Sequence, residues 1–212
     1  PNAIPLVADR NADLSPILAQ LRPFLLIDAA GPFQASSYAV PQACIANGVH
    51  YLDLADARDF VCGFDALDAA AREAGVAAIS GGSSVPALSS AVVDMLAEGM
   101  NAVDAVEMSI SASNQASAGR SVSAAILSYA GKPVALWRGK RWISAQGWRQ
   151  LRRERYAIGA GTAIVRLVGL ADIPDHAILR ETVPGRPMTI FRAGPESGFQ
   201  LRMLWLLSWL GQ

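Results

Sequence analysis

Residues able to do chemistry stand at the ends of short apolar runs. Asp9 closes the run Ile4 to Ala8, and Ala30-Gly31-Pro32-Phe33 follows Phe24 to Asp28. Asp53-Leu-Ala-Asp56 ends the run that starts at Val49, and Ser80-Gly-Gly-Ser-Ser84 ends Val76 to Ile79. Carboxylates in such places can accept hydrogen bonds from a ribose hydroxyl or a substrate amine, and small residues let backbone approach a bound molecule closely. Asp53 and Asp56, three apart, could border such a site; a strand-end acid also caps the helix that follows it. Ser83 and Ser84 precede Pro86 and could donate hydroxyls to a substrate carboxylate near a helix start.

Several chemistries find no support. The serine-rich turn lacks the Gly-x-Ser-x-Gly elbow of a serine hydrolase, and only His50 and His176 exist to act as a base. Neither histidine has metal-ligand spacing to a cysteine or to the other, so no metal site is expected. His50 reads as a packing residue and His176 as a loop or strand-start residue. Lys132 and Lys140 have no tyrosine four residues earlier, which argues against a short-chain dehydrogenase. No catalytic acid or base can be assigned from these residues. Trp137 to Trp142 and Trp148 to Tyr156 interleave arginines and Lys140 with aromatics, a composition that suits single-stranded nucleic acid. In a chain of zero formal net charge and no nucleic-acid motif it reads instead as an exposed hairpin and loop, and no nucleic-acid partner is expected.

The elements that must position these residues alternate. Strands are expected at 4–8, 24–28, 49–54 and 76–79, and helices at 13–21, 36–47, 58–74 and 87–98. Short strands separated by helices and tight turns predict a doubly wound parallel sheet over residues 1–100, with the ligand edge at the strands' carboxyl ends. From residue 101 the pattern changes. Residues 105–113 alternate as a strand, 121–129 form a helix, and 133–137, 163–168, 177–182 and 188–191 read as strands of a mixed sheet, with Gly139-Lys140 a hairpin turn.

Composition fits a soluble globular protein, with 52% hydrophobic residues among 212. Cys44 and Cys62 fall in helical patterns and read as buried, reduced thiols, which suits the cytoplasm. The apolar run Leu201 to Leu210 is interrupted by Arg202 and is about half of the ~20 residues needed to cross a bilayer, so no membrane partner is expected. The opening lacks both a Met and a signal-peptide pattern and reads as a fragment.

Ile27-Asp-Ala-Ala-Gly-Pro-Phe-Gln34, His50-Tyr-Leu-Asp-Leu-Ala-Asp56 and Ser80-Gly-Gly-Ser-Ser-Val-Pro-Ala-Leu-Ser-Ser90 resemble the saccharopine dehydrogenase-like oxidoreductases. The resemblance covers roughly residues 4–98, and more loosely Gly169 to Asp175 and Phe191 to Gly194. It implies a partial Rossmann-like domain over 1–100 and a partial substrate and dimerisation domain over 101–212. It further implies an NADP or NAD cofactor, hydride transfer with a small-molecule substrate, and a homodimer. Asp9 matches the position near the adenine, and Ala30, Gly31, Pro32 and Phe33 match the turn beside the ribose and nicotinamide. The family's opening strand and Gly-x-Gly-x-x-Gly turn have no counterpart here, and the second domain is expected to be incomplete. The competing expectation is an interaction or dimerisation module that keeps the fold without the cofactor.

Overall fold

The structure, a computed structural model, describes residues 3–113 and 119–210. They form two compact units, Pro1–Ser83 and Ser84–Gln212. The architecture is mixed α/β, with a parallel sheet in the first unit and a mixed sheet in the second.

In the first unit, strands β1 (Leu25–Asp28), β2 (His50–Asp53) and β3 (Ala78–Ile79) lie side by side in that order, both pairs parallel. Helix α1 (Ser15–Leu21) starts with Pro16 in its first turn, where the missing N–H costs nothing, and the Asp13 carboxylate accepts the Ser15 N–H at 2.9 Å. Helix α2 (Ala39–Ala46) buries Val40, Cys44 and Ile45 and ends at Asn47-Gly48, with Gly48 at φ +68°. The core joins these residues to Phe33, Tyr51, Phe60, Phe64 and Leu67. Burial, with Asp28 close by, pushes the Cys44 thiol up to about 11, so it stays protonated.

The run 4–8, expected as a strand, is irregular: Ile4 is 90% and Val7 98% exposed. A strand is defined by its ladder, and β1, at the sheet edge, pairs only with β2. The helix expected over 58–74 is broken into α3 (Arg58–Cys62), a 3₁₀ turn (Phe64–Leu67) and α4 (Asp68–Glu73). The break falls at Gly63, where an added Cβ would lie 2.7 Å from the Tyr38 hydroxyl. That hydroxyl donates to the Phe60 carbonyl at 2.7 Å, and the Tyr38, Phe60 and Phe64 rings pack edge to face or tilted. Tyr38→Phe is expected to lower stability by about 1 kcal/mol in urea unfolding, the worth of one partly buried hydrogen bond. Cys62, expected buried, is exposed at the end of α3.

The second unit begins with a wide turn, Ser84–Leu88, leading into helix α5 (Ser89–Ala97). Its main sheet has the order β4 (Ala105–Ala112), β9 (Met188–Pro195), β8 (Ala163–Leu170), β7 (Arg152–Ala157). Strands β4 and β9 run parallel and the other neighbours antiparallel. Helix α6 (Arg120–Ser128) precedes the hairpin of β5 (Pro133–Arg138) and β6 (Arg141–Gln146), whose turn residues Gly139 and Lys140 both have positive φ. Leu170 and Ile190 of the main sheet pack against Val134 and Leu136 of that hairpin.

Residues 177–182, expected as a strand, lie in helix α7 (Asp175–Thr182). Pro174 and Asp175 suit a helix start and Arg180 its last turn, while Leu179, together with Val183 just beyond it, packs against Val93 of α5. His176, expected in a loop or at a strand start, is buried in this helix with Nδ1 3.1 Å from Asp172 Oδ1. The stretch 148–156 is no exposed loop: Trp148 is buried and donates from Nε1 to the Ile126 carbonyl at 2.8 Å, and most of the arginines lie on β7. Helix α8 (Gly198–Leu210) buries Leu201 and Ser208 and leaves Phe199, Met203, Leu206, Trp209 and Leu210 exposed.

Asp175 is fully buried and accepts the Ser89 hydroxyl at 2.5 Å. Burial raises its carboxyl above the usual carboxylate value, and the Ser89 hydrogen bond opposes that only in part. A raised folded-state value makes the native state bind the proton more tightly than the unfolded chain. This contribution is therefore full below the ordinary carboxylate value and is lost as pH rises through the folded-state value. Asp175→Asn is expected to remove that slope, measured as the difference between wild-type and variant urea unfolding free energies from about pH 4 to about pH 7.

Candidate functional site

All three strands of the first unit run the same way, so their carboxyl ends share one edge. Asp28 and Asp53 end β1 and β2 and face each other in register. Both carboxylates are buried, 5% and 0% exposed. A buried carboxylate needs hydrogen bonds or a cation, and each has them.

Asp28 Oδ1 accepts the Ala30 N–H at 3.0 Å, turning the chain back on itself, and Oδ2 accepts from Arg10 Nη2 at 2.7 Å. The turn that follows contains Ala29, Ala30, a cis Gly31-Pro32 bond and Phe33. Ala29, Ala30 and Pro32 are exposed at the edge; Phe33 points the other way, buried against Phe60 with ring centroids 5.3 Å apart.

Asp53 Oδ1 accepts the Ala55 N–H at 2.9 Å, the Gly81 N–H at 2.8 Å and the Ser80 hydroxyl at 3.0 Å. One oxygen thus ties the turn after β2 to the turn after β3. The Tyr51 hydroxyl faces the same carboxylate; burial, then the charges of Asp53 and Asp28, push that phenol far above its ordinary value, so it stays protonated. Gly82 packs so tightly here that an added Cβ would meet Leu52 Cδ1 at 2.8 Å and the Asp53 carbonyl at 3.1 Å.

Asp56 lies on the surface, its Oδ1 accepting from Gln34 Nε2 at 3.2 Å, which joins the first and second turns. Crowding by the surrounding chain raises its carboxyl and the Gln34 amide opposes the rise. Asp9 sits in a surface turn, its carboxylate accepting the Asn11 N–H at 2.9 Å. His50 is a packing residue: its Nδ1 accepts the Ala77 N–H at 2.9 Å and its ring lies 4.6 Å from that of Phe24. Ser83 closes the first unit, its N–H donating to the Gly81 carbonyl at 2.8 Å, and Ser84 opens the second as an exposed residue.

The edge thus brings Ala30, Gly31, Pro32, Asp53 and Asp56 together and turns Phe33 into the core. Sequence reading missed Arg10, Asp28 and Tyr51. An arginine next to Asp9 carries no local signal, because its partners stand 18 and 26 residues away. Among the described residues no group of acids, cysteines and histidines could hold a metal ion.

The edge presents both flat apolar surface and polar acceptors. Exposed alanines and a proline leave room for a ring, and backbone and carboxylate oxygens supply acceptors for hydroxyl groups. No curated protein matches the chain. Residues 2–79 match the family model of the saccharopine dehydrogenase NADP binding domain, which supports NAD(P) as the cofactor. The segment that carries the three parallel strands and the turns after β1 and β2 is thus similar to the NADP-binding domain of the saccharopine dehydrogenase-like family.

Proposed function

We propose that this protein is a nicotinamide-dependent oxidoreductase in which the edge formed by Ala30, Gly31, Pro32, Asp53 and Asp56, with Asp9 beside the adenine, holds the NADP or NAD. The observation that supports this best is the joining of three strand-end turns by the buried Asp53 carboxylate and the Gln34 to Asp56 hydrogen bond, with Asp28 bracing the first turn through Ala30. The nicotinamide supplies hydride transfer when bound. The chain's own part is to fix the turns before the cofactor arrives, so that little ordering remains to be done on binding. Asp53 does this by anchoring backbone, with Phe33 holding its turn down from the core. Asp56, at the surface, is placed to accept a ribose or substrate hydrogen bond. Residues 101–212 we assign to substrate and dimer contacts, Ser83 and Ser84 to the substrate carboxylate, and the protein to the cytoplasm.

Titration with NADPH and with NADH, followed by calorimetry, tests the reading. Saturable binding of either dinucleotide is expected, and its absence in a folded protein would sink it. A second reading, an interaction module, is favoured by the apolar residues that α8 leaves exposed. That reading predicts self-association in light scattering with no response to dinucleotide.

A further inference from the structure

We infer that Arg10 is the positioning residue of the cofactor turn. Its guanidinium reaches three separate parts of residues 28–36. Nη2 donates to Asp28 Oδ2 at 2.7 Å, Nη1 donates to Ser36 Oγ at 3.1 Å, and the group lies 5.3 Å from the centroid of the Phe33 ring. Ser36 passes the constraint on, since its hydroxyl donates to the Pro32 carbonyl at 2.9 Å. Asp28 does the same at the other end, through the Ala30 N–H. One planar cation therefore holds the start, the middle and the far side of the small-residue turn.

The burial of Asp28 sharpens the assignment. A carboxylate 4% exposed is costly to leave with its charge unmatched, and Arg10 is the cation that meets it. A lysine could supply that charge. It could not at the same time donate to Ser36 and sit over the Phe33 ring, because its ammonium is a compact point charge and the guanidinium is a plane with five donors. Charge compensation and turn positioning are thus separable by substitution.

This inference rests on the proposed cofactor site, and the test keeps the two apart. Arg10→Lys and Arg10→Met are compared with wild type for NADPH affinity, thermal midpoint and hydrogen exchange at the Ala30 amide. Arg10→Lys is expected to keep the midpoint near wild type, to weaken NADPH about tenfold, and to speed exchange at Ala30 several-fold. Arg10→Met is expected to lower the midpoint as well. Wild-type affinity and wild-type exchange in a folded Arg10→Lys protein would overturn the inference. If wild type itself binds no NADPH, the cofactor reading fails; the exchange of Ala30 in Arg10→Lys then decides the role of Arg10 alone, faster exchange upholding the clamp and unchanged exchange overturning it.

Discussion

Asp53→Ala is expected to be among the most damaging single changes in the first unit, costing about 3 kcal/mol or more in urea unfolding. The carboxylate is fully buried and one of its oxygens serves the Ala55 N–H, the Gly81 N–H and the Ser80 hydroxyl. Removing it leaves two backbone donors and a hydroxyl without an acceptor, and the Tyr51 phenol without the group it faces. A buried donor left unmet costs about 1–3 kcal/mol, and partial rearrangement lets water recover some of that. Asp53→Asn keeps an acceptor oxygen and is expected to lose less. Dinucleotide affinity should fall in both, because the turns after β2 and β3 are no longer tied together. A variant as stable as wild type in Asp53→Ala would contradict the anchoring role.

Phe60→Ala is the second large expected loss, about 3–5 kcal/mol. Its ring touches three others, Phe33 at 5.3 Å, Tyr38 at 4.9 Å and Phe64 at 6.1 Å between centroids. Deleting it opens a cavity where α3 meets the turn after β1. The cost is transfer of the lost ring plus the contacts its neighbours no longer make, and the aromatic pairing adds to both. The consequence reaches the candidate site, since Phe33 is the buried end of the turn proposed to meet the dinucleotide. Weaker dinucleotide binding at a temperature where the variant is still folded would show that coupling. Phe60→Leu, which fills more of the space, should restore part of the stability and part of the affinity.

The parallel strands and their acidic, small-residue ends were legible in sequence because each signal is local. Phe24 to Asp28 is an apolar run closed by small residues, and Asn47-Gly48 stops a helix within a few residues of the next strand. The strand expected over 4–8 failed because apolar content does not supply a pairing partner, and pairing is a property of residues far away in sequence. The broken helix after Arg58 depends on Tyr38, which no window around Gly63 contains. Residues 177–182, expected as a strand, form a helix because Pro174-Asp175 start one and Leu179 packs against Val93 of α5. At the site, strand-end aspartates look alike whether they cap, anchor or meet a ligand. Burial separates them here: Asp28 and Asp53 anchor, and Asp56 faces solvent.

The most direct test of the cofactor edge is to map where the dinucleotide acts. In a titration of the isotopically labelled protein with NADPH, amide resonances of residues 28–34 and 53–56 are expected to shift together and to saturate at one concentration. Saturable shifts confined to residues 84–212, or no shifts in a folded protein, would contradict the assignment of this edge as the dinucleotide site.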